Sequence, residues 1–403
     1  TNCSFGGPRP ATSPGRDLTY VKEKIPTLAA SRARASLHAP AWTKQSAYSW
    51  RTFLFTALAM GGLVGFGVLM MIINANSGGT NLLVPFLLAL VPLCLVLLVV
   101  RWIDYQDPEP MGVLVAAFLW GAGVATLASL MVNNSSTIAV AEITKSKAAG
   151  GTFATLVSAP LIEEFTKALG LVLIYLLWRK IVNGPVDGVV YATVIAGGFA
   201  FAENILYFAR YSDQLAQIFL LRGVASPFAH VIFTACTGMA LGFGIHMRGR
   251  WSWLGMTLLG YLCAVVLHFS WNLLSGPNWW FYMLVSAPIF VLMGLLVSYL
   301  KRREQRDYAT NLMDYAAGGW YTSAEVAMLT TNTGRRQGTA WARSHGSQAR
   351  KAMLDFQRDS MELAEIRGRF LAGEGDSEDR ERQLKLLQEV SAKRQVFLGL
   401  DNA

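Results

Sequence analysis

The chain has 403 residues, 53% of them hydrophobic and 15% charged, with a formal net charge of +9 and a mean hydropathy of +0.36. Soluble domains carry about 25% charged residues, so this composition excludes an ordinary soluble globular protein and indicates a membrane protein. The positive excess sits mainly in the tails and short loops, where basic residues face the cytoplasm and anionic lipid, and it does not require a nucleic-acid partner.

Residues 1 to about 50 are rich in Pro, Gly, Ser, Ala and Arg without apolar periodicity and read as a disordered basic cytoplasmic tail. They contain no apolar core segment, so no secretory signal peptide is expected, and Thr1 in place of Met points to a processed or incomplete start. Apolar spans follow at 53–73, 82–102, 111–132, 153–178, 188–209, 225–247, 254–274 and 279–300, each close to the roughly 20 residues that cross a bilayer. The expected fold is all-α: a polytopic membrane domain over 51–301 with about eight helices, followed by a soluble helical tail over 302–403. Within the tail, 340–371 and 379–398 read as two amphipathic helices separated by Gly373-Glu-Gly375, an antiparallel hairpin for docking or dimerisation. Ser323 is the expected N-cap of a shorter helix. Of Cys3, Cys94, Cys236 and Cys263, three lie in apolar runs and none forms a CxxC pair, so neither a disulfide framework nor a structural zinc knot is indicated. Loop charge, led by the basic N-tail and the Lys301-Arg-Arg-Glu-Gln-Arg306 cluster, places both termini in the cytoplasm.

The fourth span holds the chemistry. Ala159-Pro-Leu-Ile-Glu-Glu-Phe-Thr-Lys-Ala-Leu-Gly170 sets Glu163, Glu164 and Lys167 in an otherwise apolar run. A charge at the centre of a lipid-facing helix costs about 2.5–3.5 kcal/mol on the most lenient scale, so these are poor membrane fillers. Pairing along the helix at i,i+3 or i,i+4 neutralises one carboxylate with Lys167, and two carboxylates are present. Lys167 is expected to serve structurally, holding Glu163 or Glu164 charged. With alternating span directions, Glu163, Glu203, His230 and His268 all fall about 8–15 Å below the outer surface, from four separate spans.

Such a gathering suits hydrolysis. A catalytic zinc takes three protein ligands, commonly His and Glu, and keeps one position open for water. It lowers that water's pKa towards about 7, and a nearby carboxylate takes the proton. The expected assignment is Glu203, His230 and His268 as metal ligands, Glu163 as general base, and Glu164 as helper or fourth ligand. Asn272 lies i,i+4 from His268 and can aim its amide at a developing oxyanion. Plainer readings compete: a lone membrane His bonding a neighbouring carbonyl, Glu203 with Asn204 as an interhelical polar pair, and His246 at the cytoplasmic boundary. Tyr191, Tyr207 and Trp279-Trp280 read as belt or packing aromatics.

At these residues the sequence resembles the PrsW-type intramembrane metalloproteases, distant kin of CAAX-processing membrane endopeptidases. An EExxK motif is met by Glu163-Glu-Phe-Thr-Lys167, and FxxxEN by Phe199-Ala-Phe-Ala-Glu203-Asn204. A histidine opening the next span corresponds to His230, and HxxxD or HxxxN is met by His268-Phe-Ser-Trp-Asn272, which departs from the Asp form. Asp104-Tyr-Gln-Asp-Pro-Glu-Pro110 and Asp187-Gly-Val-Val-Tyr191 also look like the family, and the likeness covers about 102–300.

The resemblance implies a bacterial plasma-membrane enzyme that cuts a membrane-anchored protein on its extracytoplasmic side, in the best-known role a single-pass anti-sigma factor. It leaves open a zinc mechanism or a metal-free one in which a Glu–His pair activates water. No HExxH is present, which excludes zincin geometry. Two other classes stand beside it. An ion-coupled transporter would use intramembrane carboxylates as relays, although no paired inverted halves are visible. A non-catalytic scaffold would work through its tails.

Overall fold

The computed structural model describes residues 50–77, 81–105, 108–179, 181–247, 249, 251–274 and 279–399. The N-terminal tail and Cys3 therefore lie outside the described residues, as do Lys180, Arg248 and Arg250, basic residues just past the fourth and sixth apolar spans. Among the described residues there is no strand, and the chain is an all-α polytopic membrane protein. The helices are α1 (Trp50–Asn76), α2 (Leu83–Ile103), α3 (Met111–Thr144), α4 (147–177), α5 (Pro185–Arg210), α6 (215–225), α7 (Ala229–Ile245), α8 (Ser252–Leu274) and α9 (Trp279–Ala317). Beyond them come α10 (Ser323–Leu329), α11 (Asn332–Ser344), α12 (Ser347–Ala372) and α13 (Ser377–Leu398). Two compact units divide between Arg306 and Asp307.

Among the described residues, six helical stretches are long and apolar enough to cross a membrane: Phe53–Asn76, Leu83–Ile103, Met111–Thr144, Pro185–Arg210, Ser212–Ile245 and Ser252–Leu274. Eight spans were expected. The fourth and eighth of these correspond to α4, which carries Glu163, Glu164 and Lys167 in its apolar run, and to α9, and both fall outside that set. The third span runs past the expected end at Val132 to Thr144, through a polar stretch in which Asn133 is held by Ser158 of α4. The stretch Ser212–Ile245 is not one straight helix: α6 ends where the expected sixth span, 225–247, begins, and a break at Ser226–Phe228 separates it from α7.

Helix α5 is the post of the first unit. Of its most apolar window 83% is buried, against 22% for α1 and for α8, so α1 and α8 keep mostly lipid-facing surface while α5 meets protein on every side. It packs against α2, α3, α4 and α7. The α5–α7 crossing depends on two facing glycines. A Cβ on Gly238 would lie 2.0 Å from the Gly188 carbonyl oxygen, and one on Gly188 would lie 2.0 Å from that of Gly238. Small residues that let helix backbones touch are a main source of packing energy in membranes. Gly238→Ala is therefore expected to force the helices apart and cost about 1–3 kcal/mol or more. Thermal unfolding in detergent checks this. Gly61→Ala, where an added Cβ meets nothing within 4 Å, should leave the midpoint unchanged.

The second unit has its own core, built on Leu312, Tyr315, Phe356, Ile366, Leu386 and Val390. Burial pushes the phenol of Tyr315 up to about 12, and Gln383 donates to its oxygen at 2.7 Å. Ion pairs join Arg369 to Asp379, Glu362 to Arg382 and Asp359 to Lys393. These pairs spread outward from the turn, so α12 and α13 run antiparallel. The helix expected over 340–371 is instead split, because Gly346 adopts φ 108° and ends α11. The N-cap of α10 is Thr322 rather than Ser323, in a reciprocal capping box with Glu325.

Candidate active site

Helices α4, α5, α7 and α8 bring Glu163, Glu164, Lys167, Glu203, His230 and His268 together, with Glu203 near the end of α5, His230 at the start of α7 and His268 near the end of α8. A π-helical turn at Ala154–Ser158 directly precedes the Glu163 segment of α4, and another at Trp120–Ala125 interrupts α3. Such turns cluster at functional sites because they re-aim the residues that follow. Trp120 Nε1 donates to the Thr166 carbonyl at 2.9 Å, which fixes α4 against α3.

The two adjacent carboxylates have opposite surroundings. Glu164 is fully buried and saturated: Lys167 Nζ donates to Oε1 at 2.7 Å, His268 Nδ1 lies 3.0 Å from Oε1, and Thr234 Oγ1 donates to Oε2 at 2.9 Å. Lys167 also reaches His230 Nδ1 at 3.1 Å and sits 4.1 Å above the Phe199 ring. The expected structural part for Lys167 matches this geometry, with Glu164 as its partner. Glu163 is 6% exposed. Its Oε1 accepts from Asn133 Nδ2 at 3.3 Å, while its buried Oε2 has no hydrogen-bond partner and lies 3.9 Å from His268 Nε2.

Among the described residues, Glu163, His230 and His268 could together hold a metal ion, offering one ligand atom each, all within 4.8 Å of one another. A bare, buried carboxylate oxygen facing an imidazole nitrogen is the donor chemistry a zinc site needs. Glu164 on His268 Nδ1 supplies the carboxylate that usually orients such a histidine. The trio differs from the expected one. Glu203 is spent elsewhere: its Oε2 is 2.8 Å from His230 Nε2 and 2.5 Å from Arg222 Nη2, so it backs His230 instead of joining the trio.

Asn272 departs further from expectation. Its Nδ2 donates to the Thr155 carbonyl at 2.8 Å, inside the π-helical turn of α4, and so ties α8 to α4 instead of pointing at an oxyanion. Of the belt and packing alternatives for Tyr191 and Tyr207, the structure takes packing. The Tyr191 hydroxyl, fully buried, donates to Glu109 Oε2 at 2.6 Å, and Tyr207 lies under the Arg222 guanidinium at 4.1 Å. His246 Nε2 sits 2.6 Å from the Asn183 carbonyl.

Sequence reading missed Arg222, between the fifth and sixth apolar spans, and Asn133, just past the expected end of the third span. Both carried a signal: each is a polar residue bordering an apolar run where lipid would penalise it. Thr234 was legible as the i,i+4 neighbour of His230.

Comparison with known proteins finds a family whose model spans these helices. A family model described as "PrsW family intramembrane metalloprotease" matches residues 109–296. The chain is 30% identical to protease PrsW of Clostridioides difficile over 212 residues, 51% of this chain and 86% of the relative. It is 27% identical to protease PrsW of Geobacillus kaustophilus over 209 residues, 51% of this chain and 85% of the relative. No solved structure matches.

Proposed function

The chain belongs to the PrsW family and is an intramembrane protease, and we propose that it hydrolyses its substrate at a metal centre held by Glu163, His230 and His268. One observation carries this reading: the unpartnered Oε2 of Glu163 faces His268 Nε2 inside a ring of three ligand-type side chains. A zinc ion bound there would lower the pKa of water and polarise the scissile carbonyl. The chain's own contribution is orientation. Asn133 holds Glu163 by Oε1, Glu164 holds His268 by Nδ1, and Glu203 holds His230 by Nε2.

A second mechanism is favoured by a different observation: both nitrogens of His230 already have partners, Glu203 and Lys167. In that version Glu163 Oε2 takes the proton of a water lying between it and His268. The water oxygen bonds the carbonyl carbon, and the proton passes to the amide nitrogen as the C–N bond breaks.

The substrate class is a protein with a single membrane-spanning segment, of the anti-sigma-factor kind. It would be cut in the outer leaflet of a bacterial plasma membrane, with both termini of the protease in the cytoplasm. The shared depth of the site residues and the basic tails support that orientation. The unit beginning at Asp307 would serve as a cytosolic docking or dimerising element. Relay transport and passive scaffolding, the other classes open to such a sequence, give way to the family assignment.

The test is cleavage of a membrane-tethered reporter by purified full-length protein in liposomes, with and without a zinc chelator. Activity lost on chelation and restored by zinc is the expected result. Activity that survives chelation selects the metal-free mechanism. Undiminished cleavage by both Glu163→Ala and His268→Ala would overturn either.

A further inference from the structure

Arg222 lies in the run Ile218-Phe-Leu-Leu-Arg-Gly-Val-Ala225, where a guanidinium turned to lipid would cost about 2.5–3.5 kcal/mol. Its side chain is only 20% exposed and points into the protein. Nη2 donates to Glu203 Oε2 at 2.5 Å, Nε donates to Asn204 Oδ1 at 2.8 Å, and the guanidinium lies 4.1 Å over the Tyr207 ring. One planar fork thus engages two successive residues of α5 and stacks on a third, a combination that a lysine ammonium cannot reproduce.

The consequence reaches His230. Glu203, paired with a guanidinium, is an acceptor only, so His230 Nε2, 2.8 Å from the same Oε2, must carry the proton. Lys167 is a donor only, so His230 Nδ1, 3.1 Å from its ammonium, must carry the lone pair. Two partners of single polarity therefore fix one orientation and one tautomer of the ring.

We propose that Arg222 is a positioning residue of the hydrolytic centre: through its fork on Glu203 and Asn204 it holds the carboxylate that sets His230, and it fastens α6 beside that centre. This rests on the protease reading above and adds a residue from outside its motifs. It separates Arg222 from Arg210, also in the segment between the fifth and sixth apolar spans, whose guanidinium lies 5.8 Å over the Tyr211 ring.

The experiment uses full-length protein in liposomes with the tethered reporter, and measures kcat, KM and zinc affinity by chelator competition. Arg222→Gln should lower kcat and zinc affinity about 10- to 100-fold, the usual effect of losing a group that orients a ligand. KM should stay within about threefold, because the lost interaction does not touch substrate. Arg222→Lys, which can still reach Glu203 but not Asn204 as well, should recover part of the loss. Asn204→Ala should resemble Arg222→Lys and add little to Arg222→Gln, as expected of partners in one network.

Arg222→Gln within about twofold of wild type in both kcat and zinc affinity would overturn the proposal. So would a loss confined to KM, or equal losses in Arg222→Gln and Arg222→Lys matched by an equal loss of folded protein. If wild type cleaves without binding zinc, kcat alone decides, and if it binds zinc without cleaving, affinity decides. Wild type doing neither would remove the protease reading and this inference together, whereas an active wild type with an unaffected Arg222→Gln removes only the inference.

Discussion

Glu163→Gln is expected to lower kcat for a tethered substrate by about 10²–10⁴-fold, the range spanned by loss of a positioned proton acceptor. The same substitution should barely change thermal stability. Glu163 Oε2 has no hydrogen-bond partner, and Oε1 accepts only a 3.3 Å contact from Asn133, which the glutamine carbonyl can still accept. Replacing a buried carboxylate by a neutral isostere removes a desolvation cost and leaves little unsatisfied. Both versions of the mechanism share this expectation, since a neutral amide is a poor metal ligand and a poor base. Catalytic loss without structural loss, read by reporter kinetics beside a thermal melt, identifies the group that faces the reaction. A melt lowered in step with activity would instead make Glu163 a structural group.

Glu164→Ala should behave in the opposite way, with a loss of about 3–5 kcal/mol of stability, the cost of stripping one member from a buried ion pair. Lys167 would keep its charge at zero exposure with His230 and the Phe199 ring beside it but no carboxylate partner, while Thr234 Oγ1 and His268 Nδ1 would lose their acceptor. Denaturant or thermal unfolding in detergent measures this. Lys167→Met combined with Glu164→Ala should regain part of the lost stability, because removing both charges spares the unpaired one its burial. Equal stability of Glu164→Ala and wild type would show that the pair is not closed in the folded protein.

The contrast between neighbouring carboxylates marks what the sequence could and could not say. That Glu163, Glu203, His230 and His268 share a depth followed from counting residues along apolar spans, because helix rise is fixed and the bilayer sets a common ruler. Which carboxylate is saturated did not follow. That is decided by Lys167, Thr234 and His268 on three helices, whose rotation about their axes is set by packing such as the Gly188–Gly238 contact. Glu203 was assigned to the metal because its depth and its carboxylate fit a ligand, and its employment by Arg222 was hidden by the break between α6 and α7. Asn272 looked like an oxyanion donor from its place on the His268 face, yet the nearest acceptor is a backbone carbonyl on a neighbouring helix. The ends of α3 and α9 were misjudged for a related reason. Loss of hydrophobicity ends a lipid-facing span but not a helix, and polar residues continue both helices beyond it.

The convergence of Glu163, His230 and His268 on one centre is tested most directly by equilibrium zinc binding to the purified full-length chain. Wild type should take up about one ion, and Glu163→Ala, His230→Ala and His268→Ala should each weaken binding by more than the roughly 10- to 100-fold expected of an orienting neighbour. Asn272→Ala, which touches only a helix tether, should bind as wild type does. Zinc bound equally well by wild type and all three substituted chains would contradict a shared centre.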